Sequence, residues 1–303
     1  MKQITLTTKQ LSITVLTYGA ILQKIMAYTK TGEKRNVCIG FENVQEYKNN
    51  PSYFGATVGR FAGRITNGTF TIANEDYILH EENGVHLHGG KKGLNQREWK
   101  VIEENHGTAP FVSLEYLSPH LEEGYPGNVT FKTTYQLKKN ELHITYQATT
   151  DKSTPINLTN HTYFSLDKKT NINHYELYLA AKERIQTDNK LLPTGIIEEV
   201  RGTALDFNTK KNIEETQLDT PYVLENSTSL AASVRSYISG IELQVRTNQP
   251  ALVVYTPNDS PSICFEAQHF PDAPNQPNFP NTILHPNKEY RNNTIFTFLT
   301  HST

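Results

Sequence analysis

The sequence predicts an all-β fold, a large sandwich or barrel of many short antiparallel strands. Three observations carry this. Period-two alternation of apolar and polar residues recurs along the chain, Gly, Pro and Asn punctuate it, and the periodicity of long helices is almost absent. Composition agrees: 16 Tyr and 13 Phe stand against one Trp and two Met, a bias toward residues that suit a pleated sheet.

Taken in order, residues 4–18 interleave Thr with aliphatic side chains, and Thr69–Ile72 follows an Asn67-Gly68 turn. The clearest hairpin joins residues 131–137 to 141–148 around Lys138-Lys139-Asn140. Tyr135 and Leu137 alternate on one arm, Leu142, Ile144 and Tyr146 on the other. Residues 174–181, 241–247, 252–256 and 294–299 are further strand candidates, and short helical pieces are expected at 44–47 and 213–217. No fixed-period repeat or low-complexity linker divides the chain. The most irregular stretch, 271–286, is rich in Pro and Asn, but His269, Phe270 and Phe279 in and beside it argue against a disordered linker. The expectation is a single domain over residues 1–303.

Bulk properties narrow the function. Hydrophobic residues make up 36%, low for a globular chain even after glycine is added, so the surface is polar. The net charge is −2, with 29 basic and 31 acidic residues. That balance builds no field to attract nucleic acid or an anionic membrane. Cys38 and Cys264 each sit in a short apolar run and read as buried free thiols. The N-terminal residues alternate rather than forming a signal peptide, and no window approaches the ~18 apolar residues of a membrane span. These features lead to an expectation of a cytoplasmic protein.

Four segments concentrate His, Arg, Asn and Glu in apolar surroundings. In residues 55–70, Arg60 and Arg64 stand four apart among small residues; alone, this reads as a turn with a salt-bridging arginine. In residues 84–94, His86 and His88 alternate, so on a strand they would share a face. A zinc site would need more ligands than this pair, which favours hydrogen-bonding histidines at a pocket. In residues 154–166, Asn157, Asn160 and His161 lie beside Tyr163 and Phe164. Buried amides and imidazoles need partners, so this is a structural network or a small-molecule site with an aromatic wall. In residues 262–280, Glu266 follows the apolar run 263–265. A carboxylate buried there needs compensation, while one at a strand end would reach solvent.

Together the four segments resemble the aldose 1-epimerase family. The resemblance lies in a G-R-x-A-x-R-I run, an H-G-G after a strand, a T-P-x-N-L-T-N-H-x-Y-F block and a C-x-E-x-Q-x-x-P-D-x-x-N block, in that order over most of the chain. It implies the galactose mutarotase-like supersandwich fold and interconversion of the α and β anomers of a free hexose, without metal or cofactor. By motif position Glu266 is similar to the family's catalytic base and His161 to its acid. His88, Arg64 and Asp219 fall on substrate-binding positions. Two departures stand out: Gly63 where the family commonly has Asn, and Thr220 where it commonly has His. The implied partner is a monosaccharide, and the chain is expected as a monomer or homodimer.

The chemistry suits these residue types. Mutarotation opens a cyclic hemiacetal, so a proton must leave the C1 hydroxyl and one must reach the ring oxygen. An acid and a base are needed at separate points. Ordinary carboxyl and imidazole acidities lead to the expectation of a charged Glu266 and a protonated His161, facing each other across a cleft. Rival readings are a glycoside hydrolase, which needs two flanking carboxylates, a non-catalytic sugar-binding module, and an enzyme for phosphorylated hexoses, which needs free basic residues.

Overall fold

A computed structural model describes residues 1–225 and 229–301. Its organising element is the hairpin seen in the sequence, Val129–Lys138 against Glu141–Thr150, with burial alternating along both arms. Inward residues Phe131, Tyr135, Leu137, Leu142, Ile144 and Tyr146 are fully buried. Propagating that alternation sideways gives a nine-stranded antiparallel sheet. It runs from Lys100–Asn105 through Phe111–Ser118, the hairpin, Tyr290–Thr300, Ile241–Thr247, Leu230–Arg235 and Glu176–Leu179 to Lys211–Asn212.

A second, seven-stranded antiparallel sheet packs against it. Its order is Pro193–Glu199, Glu183–Thr187, Asp219–Val223, Ala251–Tyr255, Ile263–Gln268, Tyr163–Phe164 and Cys38–Ile39. Phe164 from this sheet meets Phe296 and Phe298 from the other, with ring centroids 5.1 and 6.4 Å apart. One continuous apolar core lies between the sheets. The architecture is the all-β antiparallel sandwich that the sequence predicts. Residues 4–18 are not one strand but the hairpin Gln3–Thr7/Ser12–Leu16, part of a separate four-stranded sheet.

Helical content among the described residues is limited to short 3-10 turns, one of them the expected Val44–Lys48. Residues 213–217 form a turn rather than a helix. The Ile213 amide is committed to the Tyr175 carbonyl, and Glu214 adopts a left-handed φ of 54°, which no helix continues. The Pro/Asn-rich stretch is ordered by Asp272, whose carboxylate accepts bonds from the Thr66 amide and hydroxyl, Asn275 and Gln276. Both cysteines are buried and free. No described helix is long and apolar enough to cross a membrane.

Phe164 joins the two sheets and is fully buried. Phe164→Ala is expected to cost ~3–5 kcal/mol, read as a shift in the denaturant midpoint of unfolding. A loss below about 1 kcal/mol would mean that this inter-sheet contact is not a principal one.

Candidate active site

The central strands of the seven-stranded sheet are buried on both faces, and strand alternation sorts them. In Ile263–Gln268 every residue is buried. Ile263, Phe265 and Ala267 enter the core, so Glu266 and Gln268 point the other way. The same parity puts Asp219 and Pro221, Val253 and Tyr255, and Tyr163 on that outer face, while Tyr222, Leu252, Val254 and Phe164 join the core. Register aligns them: Val253 pairs with Glu266, Asp219 with Tyr255, and Tyr163 with Cys264. These residues floor a cleft of about 270 Å³, completed by the segments carrying Pro51, Tyr53, Arg64 and His88. That volume lies at the small end for ligand sites.

His161 stands where the chain passes from the short strand Thr159–Asn160 to Tyr163–Phe164. Its amide donates to the Ala56 carbonyl, and its own carbonyl accepts from Gly55. Asn160 braces the same segment through the Gly55 carbonyl. Asn157 ties it to the end of the strand Ile263–Gln268, accepting from the His269 amide at 2.8 Å. Both asparagines therefore serve the scaffold. The imidazole is left aimed at Glu266, with Nε2 3.6 Å from Oε1. The two side chains lie side by side at the cleft floor, rather than facing each other across it. They are 4% and 3% exposed, and Nδ1 of His161 and Oε2 of Glu266 have no hydrogen-bond partner among the described residues.

The two arginines separate cleanly. Arg60 is buried and donates to the Ser118 hydroxyl and to the carbonyls of Ser118, Pro119, Pro126 and Gly127. It holds two loops together and takes no part in the cleft. Arg64 lines the cleft and pairs with Asp219, Nη2 to Oδ2 3.4 Å. It is the only Lys or Arg on the cleft wall among the described residues.

The two histidines of the second segment do not share a face. The strand ends at Leu87, and His88 turns into a left-handed φ of 52°, which swings its ring into the cleft. His86 is fully buried, with ring nitrogens bonded to the Tyr125 hydroxyl and the His80 carbonyl, both at 2.6 Å. Gly89 allows this sharp turn, since a Cβ there would lie 1.8 Å from the Gly59 carbonyl oxygen. The Gly63 amide donates to His88 Nδ1 at 3.2 Å. The neutral ring therefore carries its proton on Nε2, as a donor.

Burial dominates the electrostatics. It pushes the Glu266 carboxyl up to about 8, with the neighbouring Asp219 adding and Arg64 opposing. Burial lowers His161 to about 4. His88 lies well below the ordinary imidazole value, through burial and then through His161 and Arg64. Asp219 is raised by burial against the pull of Arg64. The expected charged carboxylate and imidazolium are thus not the resting state. At neutral pH the pair holds one proton, and low polarity keeps it on the carboxyl. Ligand atoms of His88, His161 and Glu266 lie within 4.8 Å of one another, a cluster of a kind that can bind a cation. Ligation would occupy the lone pairs that proton transfer needs, so the two uses exclude each other.

Tyr53, Tyr163 and Tyr255 wall the pocket around His161. Tyr53 and Gln268 carry no role in the sequence reading. Tyr53 precedes the first motif, and only its unusual φ of 57° brings it to the site.

Such a cleft can bind a small hydroxyl-rich molecule and move protons on it, so the fold and site define an acid–base enzyme built on an antiparallel sandwich. Comparison with known proteins gives the family. Residues 2–297 match the aldose 1-epimerase family, and the chain belongs to that family of carbohydrate epimerases. It is 36% identical to the galactose mutarotase of Mus musculus, across 95% of this chain and 91% of that one. It is 30% identical to the aldose 1-epimerase of Escherichia coli K12, across 95% and 92%. Among solved structures, a GalM/aldose epimerase homologue from C. elegans superposes with a TM-score of 0.94 at 29% identity, covering 99% of each chain. Galactose 1-epimerase from Lactobacillus acidophilus gives 0.86 at 29%, covering 98% and 94%.

Proposed function

We propose that this chain interconverts the α and β anomers of a free hexose such as galactose or glucose, with Glu266 as base and His161 as acid. The observation that carries the reading is the buried carboxylate–imidazole pair, 3.6 Å apart at the cleft floor. The C1 hydroxyl and the ring oxygen are bonded to the same carbon, so groups serving both must stand side by side. A sugar edge that donates O1–H to Glu266 and offers its ring oxygen to His161 Nε2 selects the ionised arrangement of the single shared proton. Proton transfers at the two oxygens open the ring. Rotation about C1–C2 presents the other carbonyl face, and the same groups, with protons exchanged, close it.

His88 donates Nε2–H, and Arg64 its guanidinium, to oxygens where charge develops. Asp219, held by Arg64, accepts from a sugar hydroxyl. Tyr163 and Tyr255 offer faces to C–H edges. No electron is transferred, so the chemistry asks for no redox cofactor. The near-neutral charge of −2 supports a reading without nucleic acid or membrane as partner. We place the protein in the cytoplasm as a single domain, monomeric or homodimeric.

The cleft supports the free sugar over the phosphorylated one. Arg60 is committed to backbone carbonyls and Arg64 is paired with Asp219, which leaves no cluster of free cations for a phosphate in the cleft among the described residues. Asp219 does give the cleft the second carboxylate that the sequence reading did not count for a hydrolase. Its ion pair with Arg64 and the family membership both weigh against glycosidic cleavage.

The direct test is polarimetry or saturation-transfer NMR on freshly dissolved α-galactose and α-glucose. Accelerated anomer exchange is expected; binding without acceleration would leave a sugar-binding module. Glu266→Gln is expected to remove activity by about 10²–10⁴-fold with an unchanged melting curve, and near-normal turnover would refute the base assignment.

The pH profile of kcat/KM follows from the one-proton pair. Below about 4, His161 takes a second proton and no base remains. Above about 8, Glu266 loses its proton and no acid remains. A bell with limbs near those values is expected, and a profile that keeps rising through its alkaline limb would contradict the shared proton.

A further inference from the structure

One ring in the cleft has no part in the proton transfers. Tyr53 lies on the loop between the turn Val44–Lys48 and the strand Thr57–Val58, at φ 57°. A bulky residue is rarely held in that left-handed conformation, and such outliers gather where function over-determines the backbone. Here the conformation delivers an aromatic ring to His161. The two planes are within 16° of parallel, with centroids 5.9 Å apart. Tyr163 lies parallel to the same imidazole at 15° and 5.0 Å. Tyr53 also meets His88 edge-on, at 5.0 Å and 62°.

The remaining groups facing His161 are few. Glu266 stands 3.6 Å away on the neighbouring strand. The His88 ring crosses it at 5.3 Å and 77°, and Tyr255 at 6.3 Å and 82°. Arg64 and Asp219 share the cleft wall and pair with each other. Glu266 is the only ion-pair partner of the ring among the described residues, and Nδ1 has no hydrogen-bond partner there. Two π faces and one carboxylate are what the ring has to hold its plane and its charge. The face of an aromatic ring attracts a cation, more strongly where water is excluded.

We propose that Tyr53 is a positioning residue: together with Tyr163 it flanks the His161 imidazole, keeps Nε2 on Glu266, and stabilises the imidazolium while the proton resides there. This rests on the acid role of His161 given above.

Three substitutions separate the ring from the backbone and the hydroxyl. Tyr53→Phe keeps the ring. Tyr53→Leu keeps bulk without a π face. Tyr53→Gly removes the ring at a φ that glycine adopts freely, so it sheds the strain. Expected are near-wild-type kinetics for Tyr53→Phe, and a loss of about tenfold in kcat for Tyr53→Leu and Tyr53→Gly with KM little changed. The acid limb of kcat/KM moves to lower pH in Tyr53→Leu, because the imidazolium loses a stabilising face. The proposal is overturned if Tyr53→Leu retains full kcat, if Tyr53→Phe is as impaired, if the loss falls on KM, or if the acid limb moves to higher pH. It falls equally if neither Tyr53→Leu nor Tyr53→Gly folds, which would make the ring structural. A wild-type protein that does not accelerate anomer exchange sinks the underlying reading instead.

Discussion

The site depends on keeping Glu266 and His161 away from water. Each would be charged in solution near neutrality or close to it; burial moves the carboxyl up to about 8 and the imidazole down to about 4. The pair then shares one proton across a broad span of pH. Proton exchange between two oxygens of one sugar carbon requires such a pair, with one partner able to give what the other has just taken. The cost is two buried polar atoms without hydrogen-bond partners among the described residues, Oε2 of Glu266 and Nδ1 of His161. A protein built for stability alone would not keep them.

The sandwich makes this arrangement possible because the central strands of its second sheet are buried on both faces. One face closes the core with Phe164, Phe265 and Leu252, and the other presents Tyr163, Glu266 and Val253 to the cleft. Sheet registers fix the carboxylate against Val253. His161 comes from outside the sheet, held by backbone bonds to Gly55 and Ala56 and by the asparagines around it. Two left-handed residues, Tyr53 and His88, bring the remaining rings. The geometry of the cleft is therefore shared between a rigid floor and a few unusual turns.

Much of this was legible in the chain. The hairpin around Lys138-Lys139-Asn140 follows from alternation alone, because both arms bury one face. Glu266 was visible as a carboxylate closing an apolar run, and the Asn/His block as a buried polar network. His86 and His88 were misread because parity holds only within a strand, and the strand ends between them. Only the family resemblance told Arg60 from Arg64, putting Arg64 alone on a substrate-binding position; the residues themselves could not, since their fates depend on loops distant in sequence, Ser118–Pro119 and Pro126–Gly127 for one and Asp219 for the other. The protonation states were misjudged for a related reason: ordinary acidities describe groups in water, and only the packed structure shows how completely these two are removed from it. Tyr53 gave no signal because its role lies in a backbone angle and a tertiary stack.

The central claim is that the resting enzyme keeps a proton on Glu266. Isotope-edited infrared spectroscopy on the carboxyl group measures this directly. Between the two limits of about 4 and about 8, the account predicts a protonated carboxyl stretch that vanishes in alkali and is missing from Glu266→Gln. A carboxylate band in its place throughout that interval would contradict it.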